Sequence, residues 1–173
     1  MDVCVVSHGG CCSNQLVDLL EENDLKCRTL IWETMLCHYP CNPGIDIPVI
    51  YIYGNPTHAL LSVRNRGDEL WKTNQRKLSQ NKDTEYSDEN LLQLMLTQFN
   101  NWTRTKQENV LVINSKELFQ DTILKKLELF LNKKLKGFPV RYIQPKLHTI
   151  HPEDEILFLK YKEYIDAINN FSV

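Results

Sequence analysis

One histidine and one glycine-rich loop carry the groups best suited to chemistry in this sequence. His38 lies in the segment 37–40 (CHYP), and imidazole is the side chain most often used as a general base near neutral pH. Gly9 and Gly10 lie in the segment 7–14 (SHGGCCSN), where glycine conformations can aim successive backbone N–H groups at one point. A base and an anion-binding loop are therefore the chemistry that the residues offer.

The elements on either side of the loop would give it the setting of an anion site. The apolar run 2–6 predicts a buried strand, and Leu16, Leu19 and Leu20 recur at helical spacing after the loop. We expect Ser13 or Asn14 to cap this helix, whose positive end faces the loop. The candidate ligand-binding residues are Gly9, Gly10, Cys11, Cys12, Ser13 and Asn14. The alternative is a tight strand-to-helix turn that binds nothing.

This loop is not a Walker A motif. That motif needs a lysine directly after its last glycine to neutralise the outer phosphates, and no lysine precedes Lys26. The sequence therefore argues against nucleoside triphosphate hydrolysis and kinase chemistry.

The remaining pattern predicts an α/β fold, a three-layer sandwich in which helices wrap a short parallel sheet. The segment 49–53 (VIYIY) is apolar on both faces and predicts the central strand, followed by Asn55 as a helix cap and Pro56 in the first turn. The segment 110–113 (VLVI) predicts another buried strand, and 30–32 (LIW) a weaker one. Strands that alternate with helices indicate one parallel sheet in a single domain over 1–173.

Three further helices follow from the apolar spacing. Ser87 should open a helix with a buried stripe, and Asp121 a helix that ends at Leu131. The polar stretch 67–85 should cover the surface as helix and loop. A last helix is predicted over 152–168, with these residues facing inward: Ile156, Leu157, Leu159, Tyr164, Ile165 and Ile168.

Net charge and the length of the apolar runs argue against nucleic acid and membrane as partners. The 20 basic and 22 acidic residues give a net charge of −2, so no positive field attracts nucleic acid. No apolar run is long enough to span a membrane, and no basic leader precedes one, so we expect a cytoplasmic protein with reduced thiols. A zinc site at Cys37, His38 and Cys41, completed by Cys11 or Cys12, is a weaker alternative because the spacing is irregular.

Several segments resemble sulfotransferases that use 3′-phosphoadenosine 5′-phosphosulfate. The segment 49–56 (VIYIYGNP), with Ser62 beyond it, is similar to the family's 3′-phosphate-binding segment. The segment 7–14 aligns with the 5′-phosphosulfate loop, where small hydroxyl residues such as Ser13 bind the phosphosulfate. The segment 37–40 is similar to the family's Thr-His-Leu-Pro stretch, and 110–131 to its late strand and helix.

The resemblance implies a P-loop, sulfotransferase-like fold and a sulfonyl transfer in which His38 takes the proton of a hydroxyl acceptor. The cofactor would be 3′-phosphoadenosine 5′-phosphosulfate, and the partners this nucleotide and a small-molecule acceptor, with neither nucleic acid nor membrane.

The sequence departs from the family at its charged positions. Gly54 stands where the family has the 3′-phosphate arginine, Gly10 where the loop has a lysine or arginine, and Cys12 where it has a glycine. A neighbouring cation could replace the missing charge, and the candidates are Arg64, Arg66, Lys72, Arg76, Arg141 and Lys146. His8 is a weaker stand-in, better explained as a loop histidine with its own partners. The competing hypothesis is a catalytically inactive binding or adaptor module of the same fold.

Overall fold

The computed structural model describes residues 1–27, 38–104, 106–137 and 148–171. These residues form an α/β fold with a three-stranded parallel sheet and seven α-helices. The strands are β1 (Cys4–Ser7), β2 (Val49–Tyr53) and β3 (Val110–Asn114). The helices are α1 (Ser13–Glu21), α2 (Pro56–Arg64), α3 (Asp68–Ser79), α4 (Asp88–Thr103), α5 (Thr122–Leu131), α6 (Pro152–Lys160) and α7 (Lys162–Asn169), with a 3₁₀ helix at Ser115–Phe119.

The central position predicted for the second strand is confirmed. β2 lies between β1 and β3, parallel to both, with Ile50 opposite Val5 on one side and Leu111 on the other. All five of its residues are buried, as expected of a β-branched and aromatic strand covered on both faces. Because all three strands run the same way, their carboxyl ends lie along one edge of the sheet.

Two other strand predictions have different outcomes. β3 forms as predicted at one edge of the described sheet, but of its residues only Ile113 is buried. The predicted strand at 30–32 lies outside the described residues.

Helix starts agree with the sequence at α2 and α4. The Asn55 side chain accepts hydrogen bonds from the backbone N–H groups of Thr57 and His58, and Pro56 occupies the first turn of α2. The Ser87 side chain accepts from the Asn90 N–H at the start of α4. Both caps satisfy donors that a helix start otherwise leaves unpaired.

The start of α1 differs from the prediction. Its N-cap is Cys12, in a left-handed conformation with φ of 61°, and no side chain caps the helix. Ser13 and Asn14 are instead the first two helical residues, so neither consumes the backbone donors of the first turn.

The predicted last helix is two helices, α6 and α7, separated at Tyr161. Ile165 and Ile168 are buried as predicted, but Ile156, Leu159 and Tyr164 are exposed, at 70%, 71% and 59%. Because the helix breaks at Tyr161, the residues before and after the break do not follow one helical periodicity. A single buried face predicted over 152–168 therefore includes these three side chains wrongly.

The long helix α4 covers one face of the sheet through aromatic contacts. The Trp102 ring stacks on Tyr51, and the Phe99 ring meets Tyr53 edge-on. Leu91, Met95 and Phe99 of its predicted stripe are buried. No helix in the described ranges is long and apolar enough to cross a membrane.

Candidate functional site

The loop between β1 and α1, which together with the first turn of α1 is called the cradle below, contains three residues in left-handed conformations. Gly9, Gly10 and Cys12 have positive φ values of 90°, 67° and 61°. The backbone N–H groups of residues 10–14 have no hydrogen-bond acceptor among the described residues. This run of donors therefore adds to the positive end of the α1 helix dipole.

The cradle opens on a cavity of about 210 Å³. Of the residues predicted to bind the ligand, the cavity wall includes Gly9, Gly10, Cys12, Ser13 and Asn14, together with the predicted base His38. The turn after α2 contributes Arg66 to the cavity wall, and one face of α3 contributes Leu70, Thr73, Asn74 and Lys77. Two segments that are far apart in the sequence, the cradle and α3, thus meet at one concave site.

Two cations in this wall supply the positive charge that the cradle lacks. Arg66 and Lys77 both line the cavity, and each lowers the pKa of His38 through its charge. Arg66 was one of several candidate cations in the sequence, whereas Lys77 was not recognised. Its signal is helical spacing, because Leu70, Thr73, Asn74 and Lys77 recur on one face of α3.

His38 is held in one tautomer by the strand that precedes the cradle. Its Nδ1 lies 2.6 Å from the backbone carbonyl oxygen of Ser7, so Nδ1 carries the proton and Nε2 keeps its lone pair. Burial, followed by the charges of Lys77 and Arg66, lowers the pKa of His38 to about 4, although the bond to Ser7 opposes this shift. At neutral pH His38 is therefore an uncharged base at the cavity wall.

His8 and Cys11 lie behind the cradle and do not line the cavity. His8 is fully buried, its Nδ1 donates to the Gly9 carbonyl oxygen at 3.0 Å, and burial lowers its pKa to about 4. It is thus a loop histidine with its own partners rather than a cation. The Cys11 sulfur lies 3.3 and 3.4 Å from the two ring nitrogens of His8, and burial raises the pKa of its thiol well above the usual value. That thiol is not an activated nucleophile.

Ser62 is next to a cavity cation rather than in the cavity wall. Its Oγ lies 3.4 Å from a guanidinium nitrogen of Arg66, one helical turn further along. The pair places a hydroxyl from α2 beside a guanidinium from the turn that follows α2.

Gly10 and Gly54, the positions where the resemblance would place cations, are both closely packed. A Cβ on Gly10 would stand 2.7 Å from the backbone Cα of Ala59. A Cβ on Gly54 would stand 2.7 Å from the Oγ of Ser115 and 3.5 Å from the sulfur of Cys11. The backbone of α2 therefore excludes a side chain at Gly10, and the hydroxyl of Ser115 on the 3₁₀ helix obstructs one at Gly54.

The other candidate cations act elsewhere or cannot be placed. Arg64 binds Asp88 and Asp154 away from the cavity, and Arg76 donates to Thr73. Lys72 does not line the cavity. Arg141, Lys146 and the possible metal ligand Cys37 lie outside the described residues, and within the described part of the chain no three His, Cys, Asp or Glu residues form a group able to hold a metal ion.

Comparisons of the chain with family models, with curated proteins and with solved structures find no match.

Proposed function

We propose that the cavity binds a nucleotide-derived anion and that the protein transfers a sulfonyl group from it to a hydroxyl acceptor. One observation supports this proposal: the cradle, whose backbone donors no side chain caps, lines the same cavity as Arg66 and Lys77. Oriented backbone donors and two cations are a site for phosphate or sulfate oxygens.

The cofactor implied by the resemblance, 3′-phosphoadenosine 5′-phosphosulfate, fits this chemistry. Gly10, Cys12, Ser13 and Asn14 would hold the 5′ end through their backbone donors, and Ser62 with Arg66 would hold the 3′-phosphate. The cofactor would supply an activated sulfonyl group. The shortage of cations that the sequence shows at Gly54 and Gly10 is offset by two cations from another part of the chain.

His38 has the state that the transfer requires of a base. Its free Nε2 would take the proton of the acceptor hydroxyl while the hydroxyl oxygen bonds to sulfur and the bond from sulfur to the 5′-phosphate oxygen breaks. Lys77 would stabilise the negative charge that this phosphate oxygen keeps.

The competing function is a binding module without catalysis, and one observation favours it. A pKa of about 4 makes His38 a weak base, and base strength governs proton-transfer catalysis. Bound anion would raise this pKa by opposing the charges of Arg66 and Lys77. The two functions share the anion site and differ only in the proton-transfer step.

Calorimetry with 3′-phosphoadenosine 5′-phosphate at millimolar concentration tests the shared site. We expect binding that weakens by about 10-fold to 100-fold in Arg66→Gln and in Lys77→Gln, the loss of one charge-assisted contact in each. Lys72→Gln, on the same helix but outside the cavity wall, is the control for Lys77→Gln. Arg104→Gln, at the C-terminal end of α4 and outside the cavity wall, is the control for Arg66→Gln. An absence of heat with the wild-type protein, or equal losses in the controls, would refute the proposed site.

A transfer assay with His38→Ala separates the enzyme from the module. If the protein is an enzyme, wild-type activity should fall by about 10²-fold to 10⁴-fold in the variant, while affinity for 3′-phosphoadenosine 5′-phosphate stays nearly the same. Binding without measurable wild-type transfer to any hydroxyl acceptor would favour the module.

A further inference from the structure

The helix α3 has two neighbouring faces that make different contacts. One face lines the cavity, with Leu70, Thr73, Asn74 and Lys77. The next face lies outside the cavity wall and carries three residues at spacings of four and three: Trp71, Gln75 and Leu78. Because an α-helix is a rigid element, the contacts that hold the second face also fix the position of the first.

α3 buries little apolar surface. Of its three apolar side chains only Leu78 is fully buried, whereas Trp71 is partly buried and Leu70 is 56% exposed. No side chain caps the start of the helix at Gly67. An element with few buried apolar contacts opens more readily than the core of a fold. α3 therefore depends on other contacts to stay beside the cradle.

Hydrogen bonds to the start of α4 are such contacts. The indole N–H of Trp71 donates to Asp88 Oδ1 at 2.9 Å. Gln75 is fully buried, and its Oε1 accepts from the backbone N–H of Ser87 and from the side-chain amide of Asn90, both at 3.2 Å. Ser87 is the N-cap of α4, and the other two partners lie in its first turn. Three hydrogen bonds thus attach α3 to one end of a well-packed helix.

We propose that Trp71 and Gln75 are positioning residues of the anion site, which through α3 hold the cation Lys77 beside the cradle. The inference rests on the proposed anion site and adds to it the contacts that set its geometry. A shift of α3 would reach the cradle directly, because Asn74 Nδ2 lies 2.5 Å from the point where a Cβ on Gly9 would stand. Anion affinity should therefore depend on two side chains that do not line the cavity.

Amide hydrogen exchange in the ligand-free protein tests the attachment itself. Trp71→Phe keeps an aromatic ring and removes the indole N–H. We expect the amides of residues 71–79 to exchange about threefold to tenfold faster than in the wild type, while those of α5 stay within about twofold. Equal acceleration in both helices, or no change in α3, would show that Trp71 does not hold α3.

Calorimetry with 3′-phosphoadenosine 5′-phosphate tests the effect on the site, with Trp71→Phe and Gln75→Ala combined in one variant. This variant lacks all three hydrogen bonds to α4, so α3 should leave its place in a large fraction of the folded molecules. The apparent affinity falls with the fraction competent to bind, and we expect it to weaken by about threefold to tenfold. In the Lys77→Gln background the same two substitutions should weaken binding by less than about twofold, because the cation that α3 brings to the site is then absent.

Leu127→Ala controls for a loss of stability that does not act through α3. Leu127 is a fully buried side chain of α5, and its truncation should lower the urea midpoint of unfolding about as much as the loss of the hydrogen bonds. A dissociation constant measured on folded protein does not respond to such a loss, so affinity should stay within about twofold of the wild type. If the double variant does not fold, Gln75→Ala takes its place, because it removes two of the three hydrogen bonds.

The outcomes separate this inference from the function on which it rests. If the wild type binds 3′-phosphoadenosine 5′-phosphate and the double variant binds it equally well, the positioning role is wrong and the anion site stands. The role is also wrong if the double variant weakens binding as much in the Lys77→Gln background as in the wild type. If the wild type does not bind, the anion site and the positioning role both fail.

Discussion

At the scale of single residues, the site depends on two histidines that stay uncharged, His8 buried and His38 partly buried. His38 lines the cavity with its Nδ1 proton fixed by Ser7, and His8 supports the cradle by donating to the Gly9 carbonyl oxygen. Both pKa values are lowered to about 4, in each case mainly by burial. The protein should therefore keep both imidazoles neutral across the physiological pH range.

The lowered histidine pKa values predict a stability that falls in mild acid. Unfolded histidine titrates near 6.5, so between about pH 6.5 and 4 the unfolded chain binds more protons than the folded one. The free energy of unfolding should therefore fall as pH falls through this window, by up to about 3 kcal/mol for the fully buried His8. Urea unfolding between pH 4.5 and 7.5 measures this change.

The variant His8→Phe identifies the residue responsible. It keeps a buried ring but cannot take up a proton. Between about pH 6.5 and 4, its free energy of unfolding should therefore change with pH less steeply than that of the wild type. The difference between the two slopes should correspond to the uptake of up to one proton on unfolding. A slope equal to that of the wild type would show that His8 does not titrate as its burial implies.

The sequence predicted the kinds of residue in the site better than their surroundings. Gly9, Gly10 and His38 were recognisable because glycine conformation and imidazole chemistry are properties of the residue itself. Arg66 was one of six candidate cations that the spacing alone does not place, and Lys77 was missed, because its position depends on how α3 packs beside the cradle. Cations that are distant from the loop in the sequence can lie beside it in the fold, and no motif in the loop itself indicates which they are.

At the scale of elements, the site is set by the contact between two strand-to-helix turns. The β1–α1 turn lies against the start of α2, so close that Gly10 faces the backbone of Ala59. This contact fixes where the cradle donors lie relative to α2 and Arg66, and it explains why a basic residue is absent at position 10.

The close contact at Gly10 predicts a large effect from a single methyl group. Gly10→Ala combines the strain of a positive φ with a clash against helix backbone that cannot rotate away. We expect a loss of about 2–4 kcal/mol in the free energy of unfolding, together with weaker anion binding. Denaturant unfolding and calorimetry measure the two effects.

Gly44→Ala is the matched control. Gly44 has a positive φ of 87° but no atom within 4 Å of an added Cβ, so only the strain of about 1 kcal/mol should appear. Equal losses in the two variants would mean that the two turns do not touch as described.

Helices and strands were predictable where the propensity of the local sequence agrees with the packing of that segment in the fold. The strand β2 and the caps at Asn55 and Ser87 combine strong propensity with a matching place in the fold. The α1 start was missed because the chain enters that helix through a left-handed Cys12 instead of a side-chain cap. The 152–168 pattern was misassigned because helical periodicity does not reveal the break at Tyr161.

At the scale of the whole molecule, an ion-pair network attaches the last helices to the body of the fold. Asp154 is the buried residue of α6, and both its carboxylate oxygens accept from Arg64 of α2, at 2.6 and 2.8 Å. Arg64 also binds Asp88 of α4, whose other oxygen accepts from Trp71. α6 is therefore held by hydrogen-bonded charge more than by apolar burial.

This network predicts an unequal response to two similar substitutions. Asp154→Asn leaves the Arg64 guanidinium with a weaker partner in a mostly buried position, and we expect a loss of about 2–3 kcal/mol in the free energy of unfolding. Asp166→Asn removes an exposed ion pair with Lys162 on α7 and should cost about 0.5 kcal/mol or less. Urea unfolding of both variants compares them, and similar losses would show that α6 is held by other contacts.

The net charge of the whole chain does not favour the binding of an anion at the cavity. A net charge of −2 gives no general attraction for anions, so binding must come from the local arrangement of the cradle with Arg66 and Lys77. The central claim is that this arrangement holds an anion.

Diffraction from a crystal soaked in sodium selenate tests that claim most directly, because selenium marks the anion by its anomalous scattering. The account predicts a selenium peak in the cavity, within hydrogen-bond distance of the backbone donors of residues 10–14 and of Arg66 or Lys77. A cavity with no peak, in a crystal where selenate is found on other surfaces, would contradict it.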